Sequence, residues 1–310
     1  MGIGAKNLSR VLDLCKAGRL RPGASIMELG AQEIYCQSMK DYLKEFIAYF
    51  VDRKADGWRA TPQSDDQIAQ IADRGFASKL FKACGFEYRA IDIFDGEGVM
   101  LFDLNLHTTP PELAGRFDFV TNFGTTEHVI NQYLSMKTMH ELAKPGGIIY
   151  HDLPMGGYHN HGYFSYNPML FEHLAQANDY EVLFRWYSIN DKPTPAPDSM
   201  RQSGYSQEGW LDEGIEYVLL KKTAADFRMP LETGTSLGVN PAVWAGSDPY
   251  GREREALNSV PLSKAALDFP PSGAVAAAPK KILQAFTGWE LQRELAGRYA
   301  RRIRRMIGLS

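Results

Sequence analysis

Cysteine is scarce in this chain, three in 310 residues. Cys15, Cys36 and Cys84 are scattered without metal-ligand spacing, so free thiols in a reducing compartment are expected. No run approaches the roughly 20 apolar residues of a membrane-spanning helix. The opening MGIGAKNLSR lacks the apolar segment of a signal peptide, and a cytoplasmic location is expected. A GxGxxG turn is missing as well, which removes the pyrophosphate seat of a nicotinamide enzyme. Neither charge dominates, at a formal net −3, and no nucleic-acid module is recognisable, so no nucleic-acid partner is expected.

That near-balance hides an asymmetry. From Lys280 to Ser310 there are eight basic and two acidic residues, a net of +6, which leaves −9 on the rest. The remaining composition, 44% hydrophobic and 12% aromatic, is that of an ordinary globular chain able to build one large α/β domain with decorations.

The organising stretch is Ala24 to Gln32. Ile26, Met27 and Leu29 read as a buried central strand, and Gly30 as a tight turn that lets a ligand approach the backbone. Glu28 is a carboxylate near the carboxyl end of that strand, where open α/β sheets bind ligands. An amphipathic helix is expected over 6–17 and another from Ile34 to Val51. A third is expected from Asp65 to Cys84 with Ser64 as its cap. Lys54 to Ser64 reads as an inserted loop over the site, with Trp58 either a lid residue or simply packed.

Further strands are expected at Tyr88–Ile93, Val99–Leu104, Phe117–Asn122 and Ile148–Leu153, with a helix from Glu127 to Leu142 and another from Asn167 to Ala177. Tyr180–Ile189 and Ile215–Lys222 close the sheet as an antiparallel pair around a long loop, Lys192 to Gly209. Three strand ends in a row carry an acid or amide: Asp92, Asp103 and Asn122. A carboxylate there can accept from both hydroxyls of a ribose. The fold class is α/β, a doubly wound, seven-stranded, mostly parallel sheet with a helical insertion and a C-terminal helical extension. Its divisions are an N-terminal helix (1–23), the main domain (24–222), an irregular linker (223–279) and a basic amphipathic helix (280–310).

This layout resembles the class I S-adenosylmethionine-dependent methyltransferases over residues 24 to 222. The resemblance rests on Glu28-Leu29-Gly30, Asp92, Asp103, the segment Phe117 to Asn122, and Leu142-Ala143-Lys144-Pro145-Gly146-Gly147. Thr126-Glu127-His128-Val129 is similar to the small-molecule branch with Glu-His-Val after strand four. The resemblance implies S-adenosylmethionine as cofactor. Its binding residues would be Glu28, Gly30, Ala31, Gln32, Asp92, Ile93, Asp103, Leu104, Asn122 and Phe123, with Asp92 on the ribose, Asp103 on the adenine amino group, and Asn122 and Phe123 near the sulfonium. One departure stands out. The family has three alternate glycines after the Glu, and here Gln32 and Ile34 hold the second and third places.

A methyl transfer to oxygen needs alignment and a base. His151 and His159, in a histidine-rich loop from His151 to Tyr163, lead as base candidates, and His128, at the start of a helix, follows; His161 would orient that loop. Tyr158, Tyr163, Phe164 and Tyr166 offer either an aromatic wall for an acceptor or plain packing. His151, Asp152, His159 and His161 could ligate an ion, but the acids of metal-dependent methyltransferases have no clear match, and no metal is expected. The expected partner is a small-molecule or glycan acceptor. The alternative is a non-catalytic scaffold that keeps the fold. Residues 280–310 can lie on the inner face of an anionic membrane, dock a partner or a dimer mate, or fold against their own domain.

Overall fold

The computed structural model describes residues 2–35, 40–96, 98–158, 161–189, 192–195 and 213–230. The first helix, α1 (Ala5–Lys16), buries Leu8, Val11 and Leu14 along one stripe, and β1 (Ser25–Leu29) follows. Alternation then sorts the strand's side chains. Ile26 enters the apolar cluster that holds α1, while Met27 and Leu29 enter the cluster on the other side.

The insertion after β1 is less helical than its periodicity suggests. Glu33–Tyr35 is a short strand, β2, and the helix α2 spans Lys40–Val51 with Leu43, Phe46, Ile47 and Phe50 buried. Ser64 caps α3 (Asp65–Ala72): its Oγ accepts from the Gln67 N–H at 3.3 Å and its N–H donates to Gln67 Oε1 at 2.8 Å. The single helix expected to Cys84 is broken by β3 (Asp73–Phe76), which pairs antiparallel with β2, and resumes as α4 (Ala77–Ala83). Gly75 permits the break, because a Cβ there would sit 2.7 Å from the Gln70 carbonyl oxygen. Trp58 is core, not lid. It is 6% exposed and packs edge-on against Phe50 at 4.8 Å and Phe86 at 5.1 Å, next to the amino end of the following strand.

The remaining elements are β4 (Glu87–Asp92), β5 (Val99–Leu101), β6 (Phe117–Phe123), α5 (Gln132–Leu142), β7 (Ala143–Gly156), α6 (Pro168–Asn178), β8 (Tyr180–Ile189), β9 (Lys192–Pro195) and β10 (Glu213–Lys221). They form one sheet in the order β5-β4-β1-β6-β7-β10-β8-β9. The pairs from β5 through β7 are parallel, and β10 runs antiparallel to both β7 and β8. These are the seven expected strands plus β9, a short edge strand in a segment expected to be loop. The chain builds outward from β1 to β5, then returns to build β6 on the other side of β1. That reversal puts a crevice at the carboxyl ends of β1 and β6.

Residues 231–310, which include most of the expected linker and the whole basic helix, lie outside the described residues. Among the described residues no helix is long and apolar enough to cross a membrane.

Candidate active site

The crevice begins with a buried carboxylate. Glu28 is fully buried, where an isolated charge would be costly, and its Oε2 accepts from the Tyr88 hydroxyl and, at 2.9 Å, from the Gln32 N–H. These bonds hold the chain as it leaves β1. Gly30 then takes φ +71°, the left-handed region glycine enters without a Cβ penalty, and its N–H donates to the Ile91 carbonyl at 2.8 Å. Asp92 completes the turn: its Oδ2 accepts from the Ala31 N–H at 2.8 Å and its Oδ1 from the Phe94 N–H at 3.0 Å. The acid expected to meet a ribose therefore also clamps the glycine turn to the end of β4.

Asp103 lies beyond β5, not at its last position. The strand stops at Leu101, and Asp103 Oδ1 accepts from the Asn105 N–H at 2.8 Å and its side-chain amide at 3.0 Å, an Asx turn. Asn105 in turn holds Asn131, the cap of α5, so this loop is tied to the far wall of the crevice. Ile93 is 62% exposed directly after Asp92, while Leu104 is buried. An exposed apolar side chain beside a strand-end acid suits the face of a base.

On the β6 side, Asn122 and Phe123 are buried. Phe123 packs edge-on against Tyr150 at 4.8 Å. Asn122 donates to the Thr126 hydroxyl at 2.8 Å and accepts from the Thr126 N–H at 3.2 Å, and its amide lies 3.2 Å from His151 Nδ1. Thr126 Oγ1 also accepts from the Tyr166 hydroxyl at 2.8 Å. Tyr166 is thus a buried brace and not part of an exposed aromatic wall, whereas Tyr163 is 72% exposed.

The histidines separate by environment. His151 was expected where a loop leaves strand five, but β7 continues to Gly156, and His151 lies inside the sheet, paired in register with Asn122. It is 3% exposed with its ring tilted against Phe171 at 4.9 Å, and burial pushes its imidazole down to about 3. It is neutral at physiological pH. His128 sits on a 3-10 turn, Thr126–His128, where the sequence pattern had suggested the start of a helix; that helix begins four residues later, at Gln132. His159 lies outside the described residues. Asp152, weighed with the histidines as an ion ligand, is engaged by α1: its Oδ2 accepts from the Asn7 amide at 2.6 Å and its Oδ1 from Lys6 Nζ at 2.9 Å.

Sequence reading missed Thr125. Its hydroxyl donates to the Leu29 carbonyl at 2.5 Å and accepts from Gln32 Nε2 at 2.9 Å, joining the loops after β1 and β6. A Cβ on residue 30 would lie 2.6 Å from that hydroxyl, so Gly30 is required by the protein's own packing as well as by its φ. Gln32 fills the place where the family pattern has its second glycine. Its bulk there was the available signal that a partner had to meet it.

The strand order, with five parallel strands from β5 to β7 and β10 reversed between β7 and β8, agrees with a match to the methyltransferase-domain family model over residues 6–189, more than half of the chain. This chain belongs to the methyltransferase-domain family. The match begins inside α1, so the N-terminal helix falls within the family's span. S-adenosylmethionine is the cofactor of this family. The residues present fit it. Of the ten expected binding residues three are carboxylates and none is a cation, which suits a sulfonium ligand that needs no phosphate cradle.

Among solved structures, the chain is similar to the 1,6-didemethyltoxoflavin-N1-methyltransferase of Burkholderia thailandensis with bound 1,6-didemethyltoxoflavin and S-adenosylhomocysteine, at 14% identity over 71% of this chain and 78% of that one, TM-score 0.36. It is also similar to a SAM-dependent methyltransferase of Methanosarcina mazei, at 14% identity over 67% of this chain and 96% of that one, TM-score 0.32. No curated sequence matches significantly.

Proposed function

We propose that this methyltransferase-family chain moves a methyl group from S-adenosylmethionine to an oxygen of a small molecule or glycan. The observation that carries the reading is the acceptor-rich crevice at the ends of β1, β4 and β6, with Gly30 at φ +71° held by the Asp92 carboxylate. Bound S-adenosylmethionine supplies an electrophilic methyl group on a sulfonium. Asp92 would hold the ribose hydroxyls, Ile93 and Leu104 the sides of the base, Asp103 its amino group, and Asn122 the floor near the sulfonium. Because Asn122 is pinned by Thr126, the floor is rigid, which favours alignment over induced movement. His128, half-exposed beside the crevice, is the described histidine best able to take a proton from an acceptor hydroxyl; buried His151 serves by holding Asn122. The exposed Tyr163 supports a ring-shaped acceptor at the rim. A cytoplasmic enzyme, with residues 280–310 as a contact to a membrane surface, a partner or a second copy, completes the reading.

A second reading, the non-catalytic scaffold, is favoured by the Gln32–Thr125 bridge over Gly30. Calorimetric titration with S-adenosylhomocysteine separates the two. Micromolar binding is expected; no binding at millimolar ligand overturns the enzyme reading in favour of the scaffold.

A further inference from the structure

The motif after β6 holds a carboxylate that the methyl-donor crevice does not use. Glu127 is fully buried, and neither of its carboxylate oxygens accepts a hydrogen bond. Burial of a carboxylate is costly unless it is paired, hydrogen-bonded or bound to a metal. Facing it are two imidazoles. Glu127 Oε1 is 3.4 Å from His161 Nε2 and 3.6 Å from His128 Nε2, and all three ligand atoms lie within 4.8 Å of one another. His161 Nε2 is itself buried without a hydrogen bond.

From this geometry we propose that Glu127, His128 and His161 bind a divalent transition-metal ion. Ligands about 2.0–2.1 Å from a tetrahedral ion stand about 3.4 Å from each other, close to the 3.4 and 3.6 Å between the Glu127 oxygen and the two imidazole nitrogens. Two imidazoles and one carboxylate suit a borderline ion such as zinc over the harder manganese, magnesium or calcium, which prefer oxygen shells.

The arrangement is built, not incidental. The Glu127 carbonyl accepts from the Tyr163 N–H at 2.7 Å and the Phe164 N–H at 3.1 Å, which lays the His161 loop across the 3-10 turn. Gly162 permits that approach, since a Cβ there would be 2.8 Å from the Glu127 carbonyl oxygen. On the other side Thr126 is fixed by Asn122 and Tyr166, so both ligand segments are positioned by outer contacts. The carboxylate is fully buried, and the histidine side chains are 32% and 19% exposed. Three protein ligands leave the fourth position of a tetrahedral ion for an exchangeable ligand. On the proposed reading as an O-methyltransferase, which this use of the ion rests upon, that position receives the acceptor's oxygen and lowers its pKa. His128 is then a ligand and not the base. The sequence alone had grouped His151, Asp152 and His159 with His161 and missed Glu127 and His128, because the residues that meet come from two loops.

The test is calorimetry on the full chain, stripped with chelator and titrated with zinc chloride and separately with manganese chloride, with bound metal counted by mass spectrometry. About one equivalent of zinc is expected to bind, more tightly than manganese, and Glu127→Gln and His161→Ala are each expected to weaken zinc binding about tenfold or more. No metal binding by the unaltered chain, or binding that neither substitution weakens, overturns the proposal. If Glu127→Gln fails to fold, His161→Ala, in a loop, decides alone. S-adenosylhomocysteine titrated into the same samples keeps the two readings apart. Metal binding without it leaves the ion site standing while the methyl-transfer reading fails; the reverse result removes the ion site only.

Discussion

The two ends of the same sheet are stabilised in different ways. Around the amino end of β4, Phe46, Phe50, Trp58, Phe81 and Phe86 form a continuous chain of edge-on contacts with centroids 4.8 to 5.7 Å apart. Around the carboxyl ends of β1 and β6, the buried residues include Glu28, Gln32, Thr121, Asn122, Thr126, Glu127 and His151. The first region gains from every apolar atom it removes from water. The second must satisfy the polar groups it buries, and it meets most of that need by tying loops to one another, Asp92 to Ala31, Thr125 to Gln32 and Asn122 to Thr126, while the Glu127 carboxylate accepts no hydrogen bond. Aromatic packing tolerates small shifts, but a hydrogen-bonded turn does not, so the carboxyl edge is the one able to hold a ligand to fixed geometry.

The comparison breaks most visibly at the aromatic end. Phe50→Ala removes a fully buried ring with four aromatic neighbours, and is expected to cost about 3 to 5 kcal/mol of stability by denaturant unfolding. Affinity for S-adenosylhomocysteine in the folded fraction should stay unchanged. Asp92→Ala should do the reverse. Loss of an acceptor for two backbone N–H groups and for a ribose is expected to weaken cofactor binding by about 1 to 3 kcal/mol, read by calorimetry; an unchanged affinity would refute the ribose assignment.

Acid sharpens the contrast further. Burial lowers His151 to about 3, and burial, with Lys221 nearby, lowers His140 to about 4. Unfolded histidines bind protons below about 6.5 while these two do not, so stability is fully present above that pH and is lost as pH falls toward the folded values. Each histidine is expected to remove up to about 2 kcal/mol between pH 6.5 and pH 5, and His140→Gln should flatten the curve of unfolding free energy against pH over that range. The smallest effect is expected from Gln32→Gly, which takes the side chain away from the turn while keeping Gly30. Donor affinity should rise by about 1 kcal/mol or less, the worth of one neutral hydrogen bond; a fall would show that Gln32 serves the ligand directly.

Much of the fold was legible because it is periodic. β8 lies where its apolar run ends at Ile189, and α5 closes at Leu142, before the Ala-Lys-Pro-Gly-Gly segment that opens β7. The breaks were not legible where the cause is a contact between distant segments. Residues 65–84 have one helical pattern, yet Gly75 and the pairing of β3 with β2 split it. Trp58 in a polar loop reads from its neighbours in sequence as either a lid residue or a packed one, and its neighbours in space, Phe50 and Phe86, decide for packing.

The sequence by itself determined the sheet, the turn at Gly30 and the row of acids and amides at the strand ends, because alternation, glycine and strand-end chemistry are local properties written in neighbouring residues. Tertiary structure alone decided which histidine is buried, that Thr125 closes over Gln32, and that Glu127 and His128, on one turn, meet His161 from a separate loop. Those are matters of distance between segments far apart in the chain, and of how much water reaches each group, neither of which has a period or a spacing to read.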